Sequence, residues 1–208
     1  MGRVLAAYEF DADGTEFRLR SPHGDWIVLD VQISDASSGS SFLYFINVGF
    51  TIGARWDWVR SALTNRQAGP SVPDCLWRER IDPPRGDRSK RWVIDSEAAL
   101  RIVVDEMTQV LHQEVPGLLQ LLDRRQLRDL NDQDVRMGYA AWQVRAWLLA
   151  EDGRTGELEA LLQSLVDDDE DEDEDEDEEH PLFHAMRELA SQRAGETDDP
   201  RAGSVSIR

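Results

Sequence analysis

The first half of the chain alternates apolar and polar residues in a pattern that predicts an antiparallel sheet. In residues 26–33 every second residue is apolar, so one face of this strand is suited to a core. Residues 16–20 show the same period of two and follow an Asp-Gly pair, which is favoured in tight hairpin turns. Residues 42–50 are nearly all apolar, which favours a central strand covered on both faces. The pattern predicts three strands, or four if residues 91–94 form an edge strand.

Further along, apolar residues recur every three or four positions, which is the spacing of amphipathic helices. Residues 54–66 predict a short helix, and Ser96 is a suitable N-cap for a long one, which Pro116-Gly117 is expected to interrupt. Two apolar stripes lie on either side of Gly153 and predict a helical hairpin, because glycine commonly ends a helix. The first is Tyr139, Trp142, Ala146 and Leu149, and the second is Leu158, Leu161, Leu162 and Leu165. The fold class predicted is α+β: a three- to four-stranded antiparallel sheet covered by helices, with a C-terminal helical hairpin.

Charge changes this picture near the C-terminus. The formal net charge is −19, but an unbroken acidic run at residues 167–179 carries much of it, and the remaining 29 acidic residues nearly balance the 23 basic ones. Like charges in a row repel one another and bury nothing, so the run predicts a disordered linker. The expected organisation is an α+β domain at 1–130, the hairpin packed on it at 131–166, this linker, an amphipathic helix at 180–193 and a disordered tail at 194–208.

Composition excludes several classes of protein. No run approaches the roughly 20 apolar residues of a membrane span. The single cysteine, Cys75, excludes an internal disulfide and a cysteine-based zinc site, and the N-terminus lacks a signal-peptide core, so a cytoplasmic location is expected. His180 and His184 are four residues apart, but Pro181 places His180 outside the following helix. No metal site and no cofactor are predicted.

Residues 74–80 hold the candidate functional residues: Asp74, Trp77, Arg78, Glu79 and Arg80. Arginine can bind a carboxylate or phosphate through two parallel hydrogen bonds, and tryptophan offers a face for stacking. One interpretation is therefore a site for a ligand or partner. The other is an internal salt-bridge cluster that fixes a proline-rich loop to the sheet, with the tryptophan in the core. A nucleophilic role for the cysteine in this segment is disfavoured, because no histidine lies near it in sequence.

Four motifs in a fixed order resemble the bacterial domain-of-unknown-function family 4304 over about residues 14–130. The motifs are Val31-Gln32-Ile33-Ser34, Phe45-Ile46-Asn47-Val48-Gly49, Asp74-Cys75-Leu76-Trp77-Arg78-Glu79-Arg80-Ile81, and Trp92 before a long helix. Members of that family usually begin with a helix before the first strand, of which only residues 4–7 remain here. The resemblance implies a fold and no activity.

Two classes of function remain open. The chain contains no phosphate-binding loop, nucleophile elbow, His-Glu-x-x-His motif or dinucleotide fingerprint, which favours a non-enzymatic binding or interaction module of the bacterial cytoplasm. The acidic balance suggests a basic protein partner, as for an immunity- or antitoxin-like protein, and disfavours nucleic acid. The alternative is an enzyme or binder that acts on a small anionic substrate through residues 74–80.

Overall fold

The computed structural model describes residues 1–64, 68–84, 90–132, 137–168 and 180–197. It divides into two compact units, residues 1–137 and residues 138–208. No helix in these described ranges is both long and apolar enough to cross a bilayer.

The first unit contains a six-stranded antiparallel sheet, which confirms the α+β class. Its strands are β1 (Asp11–Asp13), β2 (Glu16–Arg20), β3 (Trp26–Ile33), β4 (Phe42–Thr51), β5 (Trp77–Ile81) and β6 (Trp92–Ile94). The order is β1-β2-β3-β4-β5, and β6 also pairs with β4. The sequence pattern does not predict two of these strands, β1 and β5. The first has only three residues, and the second has charged residues at its three central positions, so neither shows an apolar alternation.

Seven α-helices accompany the sheet in the described residues: α1 (Gly2–Ala6), α2 (Gly53–Ala62), α3 (Glu97–Leu119), α4 (Arg124–Asp132), α5 (Ala141–Glu151), α6 (Thr155–Asp168) and α7 (Pro181–Thr197). Ser96 caps α3 as predicted, because its side chain accepts a hydrogen bond from Ala99 N at 3.1 Å. The predicted interruption at Pro116 is wrong, since α3 continues to Leu119. A proline lacks the backbone N–H group, so one helical hydrogen bond is lost at Pro116. The helix continues because Val115 and Leu118, on either side of the proline, are buried in the core.

The strands present two faces with different surroundings. The inner face carries apolar residues that are buried against the helices: Ile27 and Leu29 of β3, Ile46, Val48 and Phe50 of β4, and Trp77 and Ile81 of β5. The outer face is mainly polar and carries Val28, Asp30 and Gln32 of β3, Asn47 and Gly49 of β4, and Arg78 and Arg80 of β5. The main core of the first unit therefore lies on one side of the sheet, and a smaller buried cluster of Val28, Val72 and Cys75 covers part of the other side.

Among the described residues, the second unit is built mainly from α5, α6 and α7. Gly153 ends α5 with a φ of 68°, and Arg154 N and Gly153 N donate to Leu149 O and Ala150 O, as in a Schellman turn. This arrangement confirms the predicted glycine cap between α5 and α6. Gly153 is also required for packing, because a Cβ there would lie 2.9 Å from Ala194 N of α7.

The last helix is an integral part of this unit. Leu182, Met186 and Ala190 of α7 are buried, and the Phe183 ring meets Trp142 of α5 edge to face. The helix runs to Thr197, whereas the sequence predicted an end at 193 and a disordered tail from 194. Of the predicted linker, residues 167 and 168 belong to α6, and residues 169–179 lie outside the described residues, as do 198–208.

Candidate binding groove

The segment before β5 lies against the outer face of the sheet. Val72 and Cys75 pack on Val28 of β3 and form a small buried cluster. Gly49 of β4 makes this approach possible, because a Cβ at that position would lie 2.7 Å from Cys75 Sγ and 2.8 Å from Cys75 Cβ. A glycine in a strand commonly marks such a close approach of another part of the chain.

Asp74 stabilises this segment through hydrogen bonds within the loop. It ends a short 3₁₀ turn at Val72–Asp74, and its carboxylate accepts hydrogen bonds from Ser71 N at 2.9 Å and Ser71 Oγ at 2.5 Å. The Arg55 guanidinium donates to the Asp74 carbonyl oxygen at 2.6 Å. All of these interactions fix the backbone of the loop, so the aspartate belongs to the architecture.

Cys75 is unsuited to nucleophilic chemistry. Its side chain is buried, and Sγ donates to Ser71 O at 3.4 Å. Burial raises the pKa of the Cys75 thiol to about 12, with the Asp74 carboxylate as a smaller cause in the same direction. The reactive form of a cysteine is the thiolate. The thiol therefore acts as a small apolar group under the loop.

The alternation of β5 separates the remaining candidates. Trp77 pairs with Phe50 and is buried on the inner face, whereas Arg78 and Arg80 pair with Gly49 and Asn47 and point to the outer face. Glu79 projects to the inner side but stays exposed, because β5 lies at the edge of the sheet. The structure thus does not gather the five predicted residues into one cluster.

Arg80 is held in a defined orientation on the outer face. Its Nε donates to Asn47 Oδ1 at 3.3 Å, and Asn47 Nδ2 donates to Gln32 Oε1 at 3.1 Å. Its guanidinium carbon lies 4.0 Å from the centre of the Phe45 ring, within the range of a cation–π interaction. The terminal amino groups of Arg80 have no carboxylate partner among the described residues.

A groove of about 660 Å³ opens beside these arginines. Its lining residues are Asp30, Gln32, Asn47, Val72, Pro73, Arg78, Glu79, Arg80 and Lys90. Lys90 is paired with Asp82 at 3.0 Å, whereas the Arg78 side chain forms no hydrogen bond or ion pair with any residue in the described ranges. A volume of this size falls within the range of small-molecule sites.

No histidine is among the residues that line the groove. His112 lies within α3, where its Nδ1 is 3.1 Å from the Tyr8 hydroxyl group. His180 precedes α7, and its Nδ1 accepts from Leu182 N at 3.2 Å, so it caps this helix. Within the part of the chain that the structure describes, no group of three or more histidine, cysteine, aspartate or glutamate residues is arranged to hold a metal ion.

A family model for a domain of unknown function, DUF4304, matches residues 1–147. The chain belongs to the DUF4304 family. The match confirms the resemblance deduced from the four motifs and extends it at both ends, so that it includes α1 and the start of α5. No curated protein and no solved structure matches the chain.

Sequence reasoning missed part of the groove in this DUF4304 chain. Asp30, Gln32 and Asn47 come from β3 and β4, more than 25 residues before the charged motif. The alternation of β3 already indicated that Asp30 and Gln32 share a face. Only the strand register shows that this face continues onto Arg80.

Proposed function

We propose that this protein is a non-enzymatic binding module whose groove receives an anionic group of a partner. The observation that carries the proposal is the position of Arg78 and Arg80 and their lack of a carboxylate partner in the described part of the chain. Both guanidinium groups are on the same face of β5, and neither has a carboxylate partner among the described residues. Arginine forms its strongest contacts with carboxylates and phosphates.

Two features favour binding over catalysis. Arginine side chains remain protonated in proteins, so Arg78 and Arg80 are suited to hold a charged group and not to transfer a proton. The nearby thiol of Cys75 is buried under Gly49, and burial raises its pKa to about 12. The alternative, an enzyme that acts on a small anionic substrate, would use the same arginines.

The test is binding of an acidic peptide to the full chain, measured by fluorescence anisotropy with a labelled hexaglutamate probe. The double variant Arg78→Gln/Arg80→Gln is expected to weaken binding by about tenfold or more, which corresponds to at least about 1.4 kcal/mol. Arg60→Gln is the matched control, because Arg60 is exposed and paired with Asp57 on α2. Equal binding by the double variant and the parent protein would reject the groove as the anion site.

A second candidate interaction rests on the acidic run at residues 167–179. Thirteen consecutive carboxylates favour a basic partner, as expected for an immunity- or antitoxin-like protein. Replacing residues 169–179 by a Gly-Ser segment of equal length should abolish binding of a labelled hexalysine probe at physiological salt. Hexaglutamate binding should persist in this variant. Unchanged hexalysine binding would contradict this second interaction and leave the groove proposal intact.

A further inference from the structure

We infer that the anionic partner is an extended acidic peptide that adds a strand to the free edge of β5. This inference rests on the proposed function and specifies its ligand. Strand β5 is the last strand in the order β1 to β5, and it pairs with β4 on one side. Among the described strands none pairs with its other side. At the end of β5, Trp92 Nε1 donates to Ile81 O at 3.1 Å, whereas the backbone of residues 78–80 has hydrogen-bond partners only in β4 among the described residues, so this part of the edge can receive a peptide. Addition of a peptide strand to such an edge is a common mode of recognition.

The spacing of the two arginines fits an extended partner. Arg78 and Arg80 are two residues apart in a strand, so their Cα atoms are about 6.6 Å apart. In an added strand, alternate side chains point to the same face with the same repeat. Two acidic residues separated by one other residue would therefore lie beside the two guanidinium groups. The fixed orientation of Arg80 on Phe45 and Asn47 reduces the ordering that this contact requires.

Glu79 determines which residue suits the position between the two acidic ones. It projects to the opposite face of β5 and, among the described residues, has no ion-pair partner. The intermediate residue of the added strand would lie on the side of Glu79, where like charges in neighbouring strands are unfavourable. The preferred sequence is therefore acidic, basic or neutral, then acidic. A run in which every residue is acidic fits less well, although it carries more charge.

Charged side chains on an edge strand also protect it from aggregation. Strand β1, at the other edge of the sheet, carries exposed charged residues as well. Asp11 and Asp13 of β1 are exposed, two residues apart and on the outer face. The charges of β1 and β5 are thus opposite. A second copy of the chain could in principle place β1 beside β5, and the experiment has to separate that occupant from a peptide.

The experiment compares labelled heptapeptides on the full chain by fluorescence anisotropy. The first alternates Glu and Lys, beginning and ending with Glu. The second has the same composition in two blocks, and the third is the first with backbone N-methylation at alternate residues, made in both registers. The alternating peptide is expected to bind about tenfold more tightly than the block peptide and than the methylated form whose N-methyl groups face β5, whereas the form methylated in the other register should bind like the unmodified peptide. The Arg78→Gln/Arg80→Gln variant is expected to lose this preference, and Arg60→Gln is expected to keep it.

Each other outcome overturns the inference in a recognisable way. If all the peptides bind equally and Arg78→Gln/Arg80→Gln weakens them equally, the groove is an anion site without strand addition, and the proposed function remains. If neither these peptides nor hexaglutamate binds, both proposals fail. If the protein self-associates and Asp11→Asn/Asp13→Asn abolishes the association, the occupant of β5 is a second copy. Light scattering without peptide measures that last case.

Discussion

The two halves of the segment 71–80 differ in burial and in whether their polar groups have partners inside the protein, although they are adjacent in sequence. Residues 71–77 are held by hydrogen bonds, a buried thiol and a buried indole, and their polar groups are used inside the protein. Residues 78–80 are exposed and carry three charges that form no ion pair with the described residues. The first half fixes the position of β5, and the second half is the part that can contact a partner. A dense cluster of chemical groups in a sequence can therefore combine architecture with a binding surface.

The largest expected effect concerns the buried indole. Trp77 is 7% exposed and packs on the inner face beside Phe50. Trp77→Ala should lower the free energy of unfolding by about 3–5 kcal/mol, because it leaves a cavity in the core. Urea unfolding followed by circular dichroism measures this loss. Trp58→Ala is the control, since Trp58 is 36% exposed on α2 and should cost much less. Equal losses would contradict the placement of Trp77 in the core.

The next effect tests the contact between the loop and the sheet. Gly49→Ala places a methyl group within 3 Å of Cys75 Sγ and Cβ, and we expect it to cost about 1–3 kcal/mol of stability, as overpacking does. Cys75→Gly removes both clashing atoms, so the double variant should lose less than the sum of the two single variants. Gly39→Ala should be nearly neutral, because no atom lies within 4 Å of the added Cβ. Additive losses would mean that the two positions do not touch.

The pH dependence of stability tests the same buried thiol. The pKa of Cys75 is raised from 9.0 to about 12 in the folded protein, so its contribution to stability is complete below pH 9 and is lost as pH rises from 9 to 12. Between pH 9 and pH 10 the loss attributable to this residue is about 1 kcal/mol, because only the unfolded state releases the proton there. Cys75→Ala should show a shallower decline than the parent protein over this interval. Identical slopes in thermal or urea unfolding would contradict a buried, protonated thiol.

The sequence predicted the sheet better than it predicted the groove. Strands β2, β3 and β4 have clear apolar alternation, because one face of each lies in the core, and their turns carry recognisable residues. An edge strand has weaker constraints, and the central positions of β5 are all charged, so its sequence resembles a loop. The groove depends on the register between β3, β4 and β5, which places Gln32, Asn47 and Arg80 side by side. Register arises from the packing of whole strands, and a local pattern does not contain it.

The smallest expected effect separates the two arginines. Arg78→Ala should change the free energy of unfolding by less than about 0.5 kcal/mol, as exposed substitutions without partners usually do. Arg80→Ala should cost more, about 0.5–1 kcal/mol, because it removes the cation–π contact with Phe45. Arg80→Lys is the conservative comparison: it keeps the charge but lacks the planar group that stacks on the ring and donates to Asn47. Urea unfolding of the three variants should give the order Arg78→Ala, Arg80→Lys, Arg80→Ala from least to most destabilised. A loss at Arg78 as large as that at Arg80 would show that residues 78–80 also belong to the architecture, and the contrast with residues 71–77 would no longer hold.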